Sequence, residues 1–264
     1  MSGSLRYPCA ARGDAGPALS ATPRPSHPME APGPNPPRGA DGRRSGVVAA
    51  LRAALQAQGH PWAGVALEPL VDAGLAHDHV RLVGTGVLAR LPKQSQMGWS
   101  ADDNLAYQRA CFERAAPGGH VPALHGVLPP SAALPRGGLL VEEIAGRPAR
   151  LPDDLPAIAR ALAALHALAL PAPARRPPLR DAPDPLRDLH DEIAAQWALG
   201  SQLAHPALAR ETAQAMDHGL HSLRALCDAP ARPPRRLIAF DAHPGNFVLR
   251  PDGRAVLVDL EKAR

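Results

Sequence analysis

Apolar residues in the first half of the chain recur at spacings that predict a helix, several strands, a second helix and a hairpin. Valines, leucines and alanines between positions 47 and 55 follow the helical period, and Gly59 and Pro61 end that helix. Short apolar runs separated by glycine-containing turns follow. The predicted elements are a helix beginning near Ser45, strands Val65–Leu70, Val80–Val83 and Val87–Leu91, a helix Ala101–Ala115, and a hairpin of Val121–Leu128 and Gly138–Ile144.

The second half reads as helices that lead to a terminal hairpin. Ile158, Leu162 and Leu165 fall at helical spacing, and a proline-rich linker over residues 171–185 separates this helix from two more. The turn Pro251–Arg254 joins the last two strands, because proline presets φ and Asp-Gly tolerates positive φ. The predicted elements are helices Leu155–Leu168, Pro185–Leu203 and Pro206–Leu226, and strands Phe247–Leu249 and Ala255–Val258.

The N-terminal segment differs from the rest of the chain. Residues 1–45 contain nine prolines and six glycines, and their only leucine, isoleucine, valine or phenylalanine residues are Leu5 and Leu19. So little apolar surface cannot offset the conformational entropy lost on ordering. We therefore predict that residues 1–44 are disordered, and we attach no function to them.

Three polar residues flank the terminal hairpin. Asn246 follows Asp241 by five residues, and Asp259 comes thirteen residues after Asn246, so the hairpin places all three at one end. The first aspartate can accept a proton from a hydroxyl group. An amide oxygen and a second carboxylate are the hard oxygen ligands that hold Mg²⁺ against nucleotide phosphates. This arrangement suits phosphoryl transfer, whereas a surface hairpin with merely solvated acids does not require the joint spacing.

The sequence A-F-D-A-H-P-G-N at 239–246, followed by V-D-L-E at 258–261, resembles the signature of the aminoglycoside phosphotransferase and choline kinase family. These proteins are small-molecule kinases of protein-kinase-like fold. The resemblance implies an α+β fold of two lobes: a small β-rich upper lobe over 45–145 that covers the nucleotide, and a mainly helical catalytic lower lobe over 146–264. It also implies further helices after Arg264, so we expect the lower lobe to be incomplete at its C-terminus.

The resemblance assigns roles to the terminal motif and to the phosphate-binding strand. Asp241 is the expected catalytic residue, and Asn246 and Asp259 are the expected Mg²⁺ ligands. Gly74 lies where the family covers the phosphates, and Arg90 lies where it places a cation on the third strand. Alternation puts Arg90 on the strand face opposite to Val87, Ala89 and Leu91. An arginine fork can grip phosphate oxygens in a bidentate way; Lys93, beyond Pro92, is the second choice.

Glu142, Glu143 and Ile144 fall at the expected hinge between the lobes, where backbone groups would meet the adenine edge. Two positions depart from the family pattern. Gln108 stands where a glutamate would hold the strand cation, so it can hydrogen-bond Arg90 without neutralising it. Ala239 stands where a histidine would brace the catalytic loop, which predicts weaker catalysis.

The predicted function is transfer of the γ-phosphoryl group of ATP to a hydroxyl group of a small molecule, with Mg²⁺ as cofactor. Two alternatives stay open. The departures at Gln108 and Ala239 would also suit a pseudokinase that binds nucleotide without turnover, and the early C-terminus would suit a non-functional fragment.

Composition narrows the remaining choices. The formal net charge is only +4 and aromatic residues make up 3% of the chain, so there is no stacking platform for single-stranded nucleic acid. No apolar run reaches membrane-spanning length. The three dispersed cysteines fit a reduced cytoplasmic protein. His77 and His79 could suggest a metal site, but without further ligands we interpret them as solvated turn residues.

Overall fold

A computed structural model describes residues 40–71, 76–95, 98–201, 206–231, 234–239, 241–260 and 263, with 40–44 and 206–209 described as backbone only. Helices and strands are mixed along this part of the chain. The helices are α1 (Ala40–Ala57), α2 (Ala101–Ala115), α3 (Leu155–His166), α4 (Pro185–Gly200) and α5 (Pro206–Asp228). The strands are β1 (Leu67–Pro69), β2 (His77–Leu82), β3 (Val87–Pro92), β4 (Leu124–Leu128), β5 (Gly138–Glu142), β6 (Arg147–Pro148), β7 (Phe247–Leu249) and β8 (Ala255–Leu257).

The larger sheet has five antiparallel strands in the order β1-β2-β3-β5-β4. Helix α1 packs on one face of it through Leu51 and Leu55, which join Val87 and Ala89 in one buried cluster. The predicted face of β3 is therefore confirmed, since Leu88 packs against the other cluster. Helix α1 begins at Ala40, earlier than expected, so its start lies within the segment predicted to be disordered. Residues 1–39 of that segment lie outside the described residues.

The hairpin of β2 and β3 has arms of equal length around the turn at 83–86. Its register pairs Leu82 with Val87 and continues to His77 opposite Pro92. Strand β2 therefore begins three positions before the predicted Val80. The description of His77 as a solvated turn residue is wrong, because this side chain lies in a strand and is 5% exposed.

Helix α2 has the predicted bounds, and its start is fixed by a capping interaction. The Ser100 hydroxyl accepts a hydrogen bond of 3.1 Å from the Asp103 N–H, which satisfies a donor that has no partner within the helix. Its buried face, which includes Tyr107 and Phe112, enters a second cluster. That cluster also contains apolar residues of β5, α3, β7 and β8, so α2 packs between the larger sheet and the terminal hairpin.

A smaller antiparallel sheet of β6, β7 and β8 carries the terminal motif. Its register places Arg147 opposite Leu249 and Val248 opposite Val256. Gly146 precedes this sheet at a point where a Cβ atom would overlap the Leu249 carbonyl oxygen, so the chain leaves β5 through a gap that only glycine fits.

Helix α3 buries Ile158 and Leu165 against the terminal hairpin, as its apolar spacing predicts. Helices α4 and α5 pack mainly on each other; α4 has no buried residue, and Cys227 near the end of α5 is buried. Within the described ranges, no helix is both long enough and apolar enough to cross a lipid bilayer.

Candidate functional site

The loop that carries Asp241 is closed by three short hydrogen bonds. The Asn246 side-chain Nδ2 donates to the Asp241 carbonyl at 2.7 Å, and the Asn246 N–H donates to the His243 carbonyl at 2.9 Å. The Gly245 N–H donates to His243 Nδ1 at 3.1 Å. With Nδ2 used in the loop, the Asn246 amide oxygen is left as an acceptor, and Asp241 is held at an exposed position.

The returning strand brings Asp259 to the same end of the hairpin. The Val258 N–H donates to the Asn246 carbonyl at 2.9 Å, so the residue before Asp259 is bonded directly to the loop. One residue earlier, the Leu257 N–H donates to the His120 carbonyl at 2.8 Å. Asp241, Asn246 and Asp259 thus lie at one end of the hairpin, as their spacing predicts.

The donor set of this end fits a hard cation. Asn246 offers an amide oxygen and Asp259 a carboxylate, and Mg²⁺ is commonly held by one or two such groups together with substrate phosphates. In the part of the chain that the structure describes, no group of three or more His, Cys, Asp or Glu side chains is placed to hold a metal ion. A cation here would therefore depend on phosphate oxygens to complete its coordination.

The side chain of Arg90 on β3 contacts the residues that follow the terminal hairpin. Its Nη1 donates to the Val258 carbonyl at 2.7 Å, and its Nη2 donates to Asp259 Oδ1 at 3.1 Å. The guanidinium also lies 5.7 Å from the centre of the Phe112 ring, a distance at which cation–π attraction operates. Arg90 is 5% exposed, so these contacts fix a buried charge beside Asp259, two residues past the end of β8.

His77 and Gln108 also lie beside Arg90. The sequence analysis did not identify His77 as part of this group. His77 Nδ1 lies 3.5 Å from Arg90 Nη2, and His77 Nε2 lies 3.2 Å from Gln108 Oε1. Gln108 thus contacts His77 rather than Arg90, which corrects the expected direct bond. Equal arms for the β2–β3 hairpin would have placed His77 inside the strand and on the Arg90 side.

His79 lies opposite Arg90 in the register of β2 and β3. Burial, followed by the positive charge of Arg90, lowers the pKa of His79 from 6.5 to about 4. Lys93, the alternative phosphate cation, lies 3.7 Å from the Asp78 carboxylate. Among the ion pairs of the described residues, it is Arg90 that contacts Asp259.

The expected hinge is tied down through both of its glutamates. The Glu142 carboxylate pairs with Arg250 at 2.5 Å, and the Glu143 carboxylate pairs with Arg81 at 2.7 Å. Burial alone would raise the pKa of Glu142, but hydrogen bonds from Arg250 and a backbone N–H lower it below its usual range. These ion pairs hold the hinge in place, so the two glutamate side chains have a structural role here.

Two backbone N–H groups of this hinge already donate hydrogen bonds within the protein. The Glu142 N–H donates to the Ala123 carbonyl and the Glu143 N–H donates to the Gly86 carbonyl, each at 2.8 Å. Among the described hydrogen bonds, none involves the N–H of Ile144. Only the last of the three predicted adenine-binding residues therefore keeps its N–H for a ligand.

Of the two remaining predicted positions, Ala239 can be placed. Gly74 lies outside the described residues. Ala239 is 8% exposed and forms an isolated antiparallel bridge with Ala263, whose carbonyl accepts a hydrogen bond of 2.7 Å from the Tyr107 hydroxyl. The small side chain at position 239 therefore packs inside the core.

Comparison with known proteins places these features in a family. The family model described as phosphotransferase enzyme family matches residues 68–264, which is most of the chain. The chain belongs to the phosphotransferase enzyme family. This confirms the resemblance drawn from the terminal motif. No curated protein sequence matches this family member.

Solved structures show the same fold at low sequence identity. A predicted aminoglycoside phosphotransferase from Ralstonia eutropha JMP134 is 16% identical in sequence, with a TM-score of 0.56. The match covers 82% of this chain and 65% of the Ralstonia chain. Aminoglycoside phosphotransferase APH(3'')-Id from Streptomyces rimosus is 20% identical with a TM-score of 0.50, covering 82% and 77%. A thermostable mutant of APH(4)-Ia, solved with ADP and hygromycin B, is 18% identical with a TM-score of 0.53, covering 79% and 70%.

These likenesses confirm the predicted α+β, protein-kinase-like fold of this phosphotransferase family member. The chain spans less than two thirds of the length of the Ralstonia protein. Sequence identities this low support the shared fold but do not identify the phosphate acceptor.

Proposed function

We propose that the protein transfers the γ-phosphoryl group of ATP to a hydroxyl group of a small molecule. One observation carries the proposal: Arg90, the buried cation of β3, lies 3.1 Å from Asp259, which follows β8. The group that would hold the α and β phosphates and the acid that would hold a metal ion thus meet at one point. The loop that carries Asp241 and Asn246 is bonded to the same strand end.

Asp241 would orient the acceptor hydroxyl and take its proton as the oxygen attacks the γ-phosphorus. Its position suits this role, because the carboxylate is exposed while the backbone around it is fixed by the Asn246 amide. A fixed loop holds the carboxylate in place before the acceptor binds, and such positioning, with charge stabilisation, supplies most of the rate in phosphoryl transfer.

Asn246 and Asp259 would hold Mg²⁺, which neutralises phosphate charge when it is bound. Arg90 would add a second positive charge beside the phosphates. The proposed adenine contact is the Ile144 N–H, with the Glu142 and Glu143 side chains keeping the hinge in place. The proposed division into an upper lobe over 45–145 and a lower lobe over 146–264 takes this hinge as its boundary. The ADP and hygromycin B in the APH(4)-Ia structure support a nucleotide and a hydroxyl compound as substrates.

The proposal is tested with purified protein, Mg-ATP and a panel of hydroxyl compounds, with ADP release as the readout. We expect turnover with at least one acceptor. Asp241→Asn should lower kcat by about 100-fold or more, the usual contribution of a general base, while Mg-ATP affinity stays within about threefold. Asp259→Ala should abolish Mg²⁺-dependent nucleotide binding.

Asp252→Asn is the matched control, because Asp252 lies in the turn of the same hairpin and its carboxylate only accepts from the Arg254 N–H at 2.9 Å. It should keep parental turnover. Mg-ATP binding without turnover on any acceptor would replace the kinase proposal with a nucleotide-binding module. A folded protein that binds no nucleotide would overturn both.

A further inference from the structure

Three polar side chains form a buried row beside the proposed phosphate site. Gln108 of α2 is 6% exposed, and His77 of β2 and Arg90 of β3 are each 5% exposed. The contacts run from Gln108 Oε1 to His77 Nε2 at 3.2 Å and from His77 Nδ1 to Arg90 Nη2 at 3.5 Å. Three buried polar groups from three different elements are costly to bring together unless they satisfy one another.

The direction of each hydrogen bond follows from the chemistry of the groups. A guanidinium can only donate, so His77 Nδ1 must be the acceptor and carry no proton. The proton of the neutral ring is then on Nε2, which donates to the Gln108 carbonyl oxygen. A glutamine amide presents that acceptor without adding charge. Gln108 therefore fixes the tautomer in which His77 can accept from Arg90.

We infer that His77 and Gln108 are positioning residues that hold Arg90 for the nucleotide phosphates, an inference that rests on the proposed function. The pair is neutral, so it orients the guanidinium without cancelling its charge. A carboxylate in place of Gln108 would instead put a negative charge next to His77, close to the proposed phosphate site. The Arg90 guanidinium forms an ion pair of 3.1 Å with Asp259.

An oriented arginine loses less side-chain entropy when a phosphate binds than one that is free to rotate. The effect should appear for ligands that carry phosphates and not for the nucleoside alone. This difference separates a positioning role from a general role in folding, because a misfolded site would lose both kinds of ligand.

The experiment measures the affinities of Mg-ADP and of adenosine by calorimetry for the parent protein and five variants. His77→Leu and Gln108→Leu should each weaken Mg-ADP binding by about tenfold, or about 1.4 kcal/mol, and leave adenosine affinity within about twofold. The double variant should lose no more than either single one, because both changes break the same row. His77→Gln should recover binding to within about threefold, since its amide can both accept from Arg90 and donate to Gln108.

His79→Gln is the matched control, a histidine of the same strand and face, and it should leave both affinities within about threefold. Parental Mg-ADP affinity in both leucine variants, or equal loss of adenosine and Mg-ADP, would overturn the inference. If His77→Leu does not fold, Gln108→Leu and His77→Gln still decide it by the same two affinities. A parent protein that binds adenosine and Mg-ADP equally tightly would also overturn it, and one that binds neither would overturn the proposed function first.

Discussion

Acidification should destabilise this protein through one histidine, well before its carboxylates are protonated. His79 lies in β2 opposite Arg90, and burial together with that positive charge lowers its pKa from 6.5 to about 4. Asp259 opposes this shift, whereas His77 and Lys93 add to it. As the pH falls, the unfolded chain takes up the proton first. The stabilisation is therefore complete above pH 6.5 and is lost as the pH falls toward the folded-state pKa.

The magnitude follows from the two pKa values. Each pKa unit corresponds to about 1.4 kcal/mol, so the full shift is worth about 3 kcal/mol. Because the folded protein is nearly unprotonated at pH 5, about 2 kcal/mol of the free energy of unfolding should already be lost there. For a domain of this size, that loss should lower the Tm by about 4–8 °C.

The assay is thermal and urea unfolding at pH 7, 6 and 5, with His79→Gln measured beside the parent protein. The variant has no group that titrates at this position. Between pH 7 and pH 5, its free energy of unfolding should therefore fall by about 2 kcal/mol less than that of the parent protein. The difference between the two proteins cancels contributions from other groups. Parallel stability curves for the two proteins from pH 7 to pH 5 would refute the reasoning.

Three substitutions test the packing around the site. Tyr107→Phe should lower the free energy of unfolding by about 1 kcal/mol, because the buried carbonyl of Ala263 loses its hydrogen bond; urea unfolding measures this. Gly146→Ala should cost about 1–3 kcal/mol by the same assay, because the new Cβ overlaps the Leu249 carbonyl. Ala239→His, which the family pattern suggests as a gain, should instead lower the Tm, because an imidazole overfills a buried position.

Each substitution has a control or a contrary outcome. Gly64→Ala is matched to Gly146→Ala, since nothing lies within 4 Å of the Cβ it would add, and its stability should stay within about 0.5 kcal/mol of the parent. Equal losses for the two glycine variants would contradict the steric argument. An unchanged urea midpoint in Tyr107→Phe would show that the Ala263 carbonyl does not depend on this bond. A higher Tm and faster turnover in Ala239→His would favour the bracing role.

The sequence was informative where apolar spacing or turn chemistry alone decides the structure. Helix α2 has the predicted bounds because an N-cap serine and a periodic apolar face specify it locally. The terminal hairpin was predictable for the same reason, since its turn residues fix its register. Its three polar residues follow from that register, although their roles remain predictions.

The sequence was less informative where pairing between strands outweighs local composition. His77 and Asp78 look like turn residues, yet six ladder pairs with β3 extend the strand through them. The contact of Gln108 with His77 depends on the angle at which α2 crosses the sheet, which no local pattern specifies. Likewise, the ion pair between Glu142 and Arg250 joins residues that are far apart in the chain.

The two buried clusters described for the fold also determine the order in which the molecule opens. Helix α1 covers only the outer face of the larger sheet, whereas α2 and the terminal hairpin share the other cluster. Detachment of α1 would expose Leu51 and Leu55 to water and leave the contacts of Arg90 and Asp259 covered. Partial unfolding can then be local, with the amides of α1 exchanging hydrogen with solvent sooner than those of β3. A molecule caught in that partly open state would still keep its phosphate-binding groups together.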